Sequence, residues 1–274
     1  MIIAVMCVRN EEYHLPTFLK HLRKYVDGFV VLDDGSTDNT LDILKNEPKM
    51  LKIIKRPVTN KLDWDEKGNR KKLLKETYKI SKDKDNTWVL CCDPDERFET
   101  RFLKRLRDLT NEKKVYGVHF RELFGDKNHY RCDGIWNGKL KYIFFPLSKK
   151  MDFDSTYIYR HHIPWYYAEI SNNLELLEYN LYHFKMLKSY DRLKRADLYN
   201  KLDPDKKMQP VGYDYLYDLN GIKLQKVKFK NRYDYKNIPD DLKKFSELKE
   251  LKKNNTWIFV LFFLPVCSNS IFWI

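Results

Sequence analysis

The chain has 274 residues, of which 43% are apolar and 33% charged with only 9 Gly, which excludes a disordered, collagen-like or low-complexity polymer and leaves ample material for a core. Its net charge of +13 comes from 52 Lys and Arg against 39 Asp and Glu. These cations are scattered along the chain rather than gathered in one tract, so they read as a solvated Lys-rich surface and no nucleic-acid partner is expected.

The first half alternates strand and helix. Ile2 to Val8 is a short, wholly apolar run, as expected of a strand covered on both faces. Leu15, Phe18, Leu19 and Leu22 follow at helical spacing, with Pro16 tolerated in the first turn. Gly28 breaks that helix, and Phe29 to Leu32 forms a second apolar strand. After a turn at Asp33 to Thr37, Asp38 is placed to cap a helix carrying Leu41, Ile43 and Leu44. Leu51 to Ile54 reads as a third strand, Leu73, Leu74, Thr77 and Tyr78 as a helix face, and Thr87 to Cys92 as a fourth strand. Such alternation predicts a parallel α/β sheet covered by helices. From Val115 the texture changes. Val115 to Phe120, His129 to Ile135 and Lys141 to Phe145 are short strands without room for crossover helices, which predicts an antiparallel extension. Beyond Ser189 the chain reads as helical and charged, with a last helix from Pro239 to Lys253 and an apolar tail to Ile274.

Cys7, Cys91, Cys92, Cys132 and Cys267 are odd in number and have no C-x-x-C spacing. They read as reduced thiols, and the N-terminus lacks the basic region of a signal peptide, so a cytoplasmic location is expected.

In open α/β sheets, ligands bind beyond the carboxyl ends of the strands. Three strands here end in polar clusters: Arg9-Asn10-Glu11-Glu12, Asp33-Asp34-Gly35-Ser36 and Asp93-Pro94-Asp95-Glu96. Carboxylates gathered at one edge repel each other unless a cation or donor groups offset them. Asp93 and Asp95, two apart at a strand end, suit a hard divalent cation whose other positions are filled by water and phosphate oxygens. Asp95 or Glu96 serve equally well as the N-cap of the helix expected over Phe98 to Leu109.

The segment VRNEEYHLPTFLKHLRKYVDGFVVLDDGSTDNT resembles the opening of a family 2 glycosyltransferase, and WVLCCDPDERF resembles that family's strand ending in a DxD metal motif. The resemblance covers residues 1 to 110 and continues more weakly through KYIFFPL, RHHIPW and YHFKMLKSYDRLKRADLYNKLDPD to about residue 220. It implies a GT-A fold, a nucleotide-diphosphate-sugar donor, a glycan, glycolipid or protein acceptor, and Mn²⁺ or Mg²⁺. On that likeness residues 1 to 187 form the catalytic domain, 188 to 253 a helical extension and 254 to 274 the tail. Arg9, Asn10, Glu11, Asp33, Asp34, Asn69, Arg70 and Asp93 fall in the nucleotide-sugar site, with Asp33 at the base or ribose and Arg70 near the diphosphate. Asp93 and Asp95 match the metal motif. His183 sits where many members supply a late histidine to the metal or phosphate, and a histidine held by a backbone carbonyl is the other reading.

Inversion needs a base that removes the acceptor hydroxyl's proton, and the acidic pair that commonly supplies it is not plainly present. His162, Asp154 and His161 are the candidates. Trp136, Trp165, Tyr166 and Tyr167 offer aromatic faces for an acceptor sugar, against core packing as the default. Residues 257 to 274 carry no charge and suit a membrane surface, a marginal span or packing on the domain. Two other readings stand: a nucleotidyltransferase of related fold, and a non-catalytic basic protein bound to membrane or RNA.

Overall fold

The computed structural model describes residues 1–58, 65–149, 173–207 and 209–248, and the backbone of 259–261. An eight-stranded sheet organises them. Its first half holds β1 (Ile2–Val8), β2 (Gly28–Asp33), β3 (Met50–Lys55) and β4 (Trp88–Cys91), all parallel. Between them run α1 (Leu15–Leu22), α2 (Thr40–Lys45) and α3 (Glu66–Ile80). Then come β5 (Glu96–Phe98), α4 (Thr100–Leu109), β6 (Val115–Glu122), β7 (His129–Arg131), β8 (Leu140–Pro146) and β9 (Leu174–His183). The order across the sheet is β3-β2-β1-β4-β8-β6-β9-β5. Strand β8 lies antiparallel to both β4 and β6, as the short strands after Val115 predict.

Period-two alternation explains why both faces are dry. Ile2, Ala4, Met6 and Val8 point to one side, where they meet Leu15, Phe18 and Leu22 of α1 and Phe102 and Leu106 of α4. Ile3, Val5 and Cys7 point to the other, against Leu73 and Leu74 of α3. Each of the Ile, Val, Leu, Met and Phe side chains taken fully out of water contributes roughly 1.5–3 kcal/mol, which favours a strand covered on both faces. Cys7, Cys91, Cys92 and Cys132 are all thiols, as expected.

The C-terminal part packs onto this core. It holds α5 (Ser189–Leu202), β10 (Lys223–Lys226) and α6 (Asp240–Lys244). Ala196, Tyr213 and Leu216 enter the same apolar cluster as β1 and β4. A second sheet joins β7, β10 and β11 (Phe259–Leu261).

Several expectations need correction. The helix expected from Pro239 to Lys253 is interrupted: α6 ends at Lys244, the backbone turns extended at Phe245, Ser246 bridges to Asp126, and Leu248 is helical again at the edge of the described residues. Residues 129–135 split into β7 and a 3-10 turn, Gly134–Trp136. Asn39, not Asp38, precedes α2; the Asp38 carboxylate instead accepts the Thr40 N–H (2.9 Å) and the Glu12 N–H (3.1 Å), stitching two loops together. Asp95 and Glu96 are not caps either, since β5 intervenes and Glu99 precedes α4.

Candidate functional site

Register brings the three polar clusters to one edge. Val8 pairs with Asp33 and Val5 with Cys91, so β1, β2 and β4 end side by side. Asn10 adopts a left-handed backbone (φ 55°), which its short polar side chain tolerates. Its Oδ1 accepts the Thr37 N–H at 2.8 Å, and its own N–H donates to Ser36 Oγ at 3.0 Å. Asp33 is buried and accepts the Ser36 N–H at 3.3 Å as well as the Ser36 hydroxyl. Asp34 pairs with Arg56 at 3.2 Å, and the same Arg56 nitrogen donates to Asn69 Oδ1 at 2.5 Å. Asn10, Asp33, Asp34 and Asn69 are thereby joined into one polar wall. Arg9 lies half-buried just past β1.

A second cluster surrounds the end of β4. Asp93 receives Arg70 on one oxygen and Lys141 on the other, each at 3.0 Å. Lys141 also pairs with buried Glu96, whose Oε2 accepts the Asp93 N–H at 3.0 Å. Asp95 does not join that group. Its Oδ2 lies 3.2 Å from His183 Nε2 and 3.4 Å from Lys185 Nζ, and Lys185 reaches Glu11 Oε1 at 3.4 Å as well. His183 is set by the sheet: on β9 it pairs with Glu96 of β5 on one side and Glu122 of β6 on the other. Its Nδ1 meets both Glu122 oxygens at 2.8 and 2.9 Å. The histidine is thus held by two carboxylates rather than by a backbone carbonyl.

The electrostatics follow from burial and these neighbours. Burial works against charge on His183, but Glu122 and Asp95 outweigh it and hold the ring protonated well above the ordinary histidine range. Burial likewise opposes the Asp95 carboxylate, and Lys185 and His183 overcome it, keeping Asp95 well below the usual carboxylate range. Glu11 and Glu96 are pushed up to about 7, by burial first, with Asp95 adding to the effect on Glu11 and Asp93 to that on Glu96.

Among the described residues no three His, Cys, Asp or Glu side chains form a metal-binding group, and the Asp93 carboxylate is engaged by Arg70 and Lys141. The Asp95 and His183 pair fits nonetheless. Adjacent corners of an octahedron with bonds of about 2.1 Å lie ~3 Å apart, close to the 3.2 Å seen here. Glu122 on Nδ1 is the outer carboxylate that metal-binding histidines carry. Five carboxylates (Glu11, Asp93, Asp95, Glu96 and Glu122) face three permanent cations (Arg70, Lys141 and Lys185) and the protonated His183 ring, and a metal ion on Nε2 would take the place of that ring's proton.

Arg56, Lys141, Glu122 and Lys185 were not singled out by the sequence. Arg56 carries a legible signal, since it follows a third parallel strand at the same sheet edge. Glu122 and Lys141 carry none, because only cross-strand register brings them here. Trp136 is only 5% exposed and packs in the core beside Tyr215, so its ring is not an open acceptor face. Asp154, His161, His162, Trp165, Tyr166 and Tyr167 lie outside the described residues.

Glycosyl transferase family 2 matches residues 3–174. An uncharacterized protein of Methanocaldococcus jannaschii is 32% identical over 125 residues, 42% of this chain and 51% of that protein, so the chain spans about half the length of the curated relative it matches. Among solved structures, residues 1–349 of TarS from S. aureus superpose with a TM-score of 0.43 at 14% identity, over 73% of this chain and 65% of that one. Glucosyl-3-phosphoglycerate synthase from Mycobacterium tuberculosis, solved with Mn²⁺, uridine-diphosphate and glucosyl-3-phosphoglycerate, gives 0.30 at 17% identity over 46% and 45%. The family match takes in well over half of the sequence, running from β1 past β8 and including Asn10, Asp33, Asp34, Arg70, Asp93 and Asp95 but ending before His183, and the chain belongs to glycosyl transferase family 2.

Proposed function

We propose that this chain transfers a sugar from a nucleotide-diphosphate donor to a hydroxyl acceptor on a glycan, glycolipid or protein, with inversion at the anomeric carbon. The observation that carries the reading is the meeting of Asp95, in the turn before β5, and His183, at the end of β9, within a cluster that has more carboxylates than cations. In this reading Asn10, Asp33 and Asp34 hold the nucleoside, while Asn69 and Arg56 brace that wall. Arg70, beside Asp93, faces the diphosphate. Asp95 and His183 hold Mn²⁺ or Mg²⁺, with Glu122 fixing the ring through Nδ1. When bound there, the cation supplies positive charge against the diphosphate leaving group.

The acceptor oxygen attacks the anomeric carbon as its proton passes to a base, and the bond to the diphosphate breaks. His162 is our candidate base, with Asp154 and His161 as its alternatives. Within the apolar segment 257–274, Phe259–Leu261 pair with β10 on the domain, and the rest of the segment is proposed to bring the enzyme to a membrane surface on the cytoplasmic side. Among the described residues no helix is long and apolar enough to cross a membrane.

A thermal-shift series with nucleoside diphosphates and nucleotide sugars, with and without Mn²⁺, tests the reading. One nucleotide is expected to raise the melting temperature only with metal, since a ligand at a hundredfold excess over its Kd adds ~2.7 kcal/mol to stability. Asp95→Ala is expected to remain folded and to lose that shift. Release of a nucleoside diphosphate on turnover separates sugar transfer from nucleotidyl transfer, which releases pyrophosphate. A folded protein that responds to none of these ligands would refute the proposal.

A further inference from the structure

The cations of the site are not held alike. Arg70 and Lys141 each lie 3.0 Å from Asp93, and the Lys141 side chain is only 7% exposed. Lys185 is different. It stands 3.4 Å from both Asp95 and Glu11, longer than the ~2.7–2.9 Å of a well-formed charge-assisted bond. Its side chain is 37% exposed, and its four-carbon stem has room to turn. It also shares Asp95 Oδ2 with His183, a pair whose spacing suits a divalent cation. A tethered ammonium and a metal ion cannot both press on that oxygen without strong repulsion.

We propose that Lys185 is a displaceable internal cation. It neutralises Asp95 in the ligand-free protein, then yields that place to a divalent cation and turns to the diphosphate oxygens of the incoming donor. Glu11, its second partner, keeps the ammonium at the rim of the site during the exchange. The inference rests on the metal reading of Asp95 and His183 given above. Its consequence is an order of binding: metal alone binds weakly, and the diphosphate that draws Lys185 away strengthens it. Lys185 is a positioning residue for the cation and a binding residue for the donor.

Mn²⁺ binding to the full chain, read from the electron paramagnetic resonance signal of the unbound ion, tests this without any assay of turnover. Lys185→Met is expected to bind Mn²⁺ alone at least about tenfold more tightly than the wild type, since the like charge that competes for Asp95 Oδ2 is gone. Lys185→Arg keeps the charge and is expected to stay near wild type, an outcome that a purely packing role for Lys185 does not produce. Lys185→Gln replaces the Met variant if that one melts early. In the absence of metal, Lys185→Met is also expected to bind UDP, GDP, CDP and ADP more weakly than wild type does. Equal Mn²⁺ affinity in wild type and Lys185→Met, with clear binding in both, overturns the proposal and leaves the metal reading standing. No Mn²⁺ binding by either protein, with or without those four nucleotides, overturns the metal reading and the proposal with it.

Discussion

His21 shows how one buried side chain ties stability to pH. It lies on α1 in the core, and its Nε2 accepts the Phe98 N–H at 3.1 Å, so the ring must be neutral at that nitrogen. Burial, helped by Arg97, pushes its pKa well below the ordinary histidine value of 6.5. The unfolded chain therefore takes up a proton first, and the neutral ring's contribution, present above pH 6.5, is lost as pH falls. That loss grows as pH falls further below 6.5. Glu11 and Glu96 act with the opposite sign: raised to about 7, they favour the fold at low pH and lose that contribution as pH rises through 7. The comparison must therefore be between variants. His21→Gln, whose amide oxygen still accepts the Phe98 N–H, is expected to melt lower at pH 8, with its deficit shrinking steadily from pH 6.5 to 5. Denaturant melts across that range check it, and a constant deficit would show that His21 titrates normally in the fold. The role of His21 is not legible in the sequence, where it looks like one more polar residue of an amphipathic helix.

At the scale of elements, the loop after β2 illustrates a turn that only glycine can build. Gly35 has φ +74°, and a Cβ there would lie 2.8 Å from both the Pro57 oxygen and Val58 Cα, which are backbone atoms unable to swing aside. Gly35→Ala is expected to cost more than the ~1–2 kcal/mol of left-handed strain alone, and to displace Asp33, Asp34 and Ser36 with it. Gly138 has a similar φ of +71° but open space around it, so Gly138→Ala supplies the control that carries strain without a clash. Thermal melts should show the larger loss for Gly35→Ala, and only that variant should lose the nucleotide-induced shift. A Gly35→Ala protein no less stable than Gly138→Ala would contradict the clash. This turn was legible as D-D-G-S because its chemistry is local. β5 was not: three residues are too few for a period, and Glu96 to Phe98 become a strand only by pairing with β9.

Across the whole molecule, the part after His183 completes the core rather than decorating it. Arg97 is fully buried and bonded mainly to backbone carbonyls: those of Pro94 (2.8 Å), Glu96 (2.6 Å) and Asn237 (2.7 Å), with the Thr17 hydroxyl at 2.7 Å. Burial pushes its pKa down to about 9, so it depends on every one of those acceptors. Tyr13, in the loop after β1, donates to Asp241 at 2.6 Å, and Lys188 pairs with the same carboxylate at 2.7 Å. Buried Arg192 pairs with Glu247. A chain ending at Leu187 would strip the Asn237 carbonyl from Arg97 and expose the cluster that Ala196, Tyr213 and Leu216 close. It is expected to lack a cooperative melt and to expose apolar surface to a hydrophobic dye, whereas a sharp transition would show that residues 1–187 fold alone.

The sequence by itself determined what depends on neighbours along the chain. Apolar runs without charge mark β1, β2 and β4 as strands buried on both faces, and a ligand edge follows because parallel strands end together. Asn10, Asp33, Asp34, Asp93 and Asp95 were readable there for the same reason. Only the tertiary structure decided which carboxylate meets which cation. Asp93 turns to Arg70 and Lys141 while Asp95 turns to His183 and Lys185, although only Pro94 separates the two aspartates. His183 stands 88 residues beyond Asp95 and 61 beyond Glu122, and only the register of β9 against β5 and β6 brings the three together. Cross-strand register is set by the packing of whole faces, a sum over many distant contacts that no local pattern of residues records.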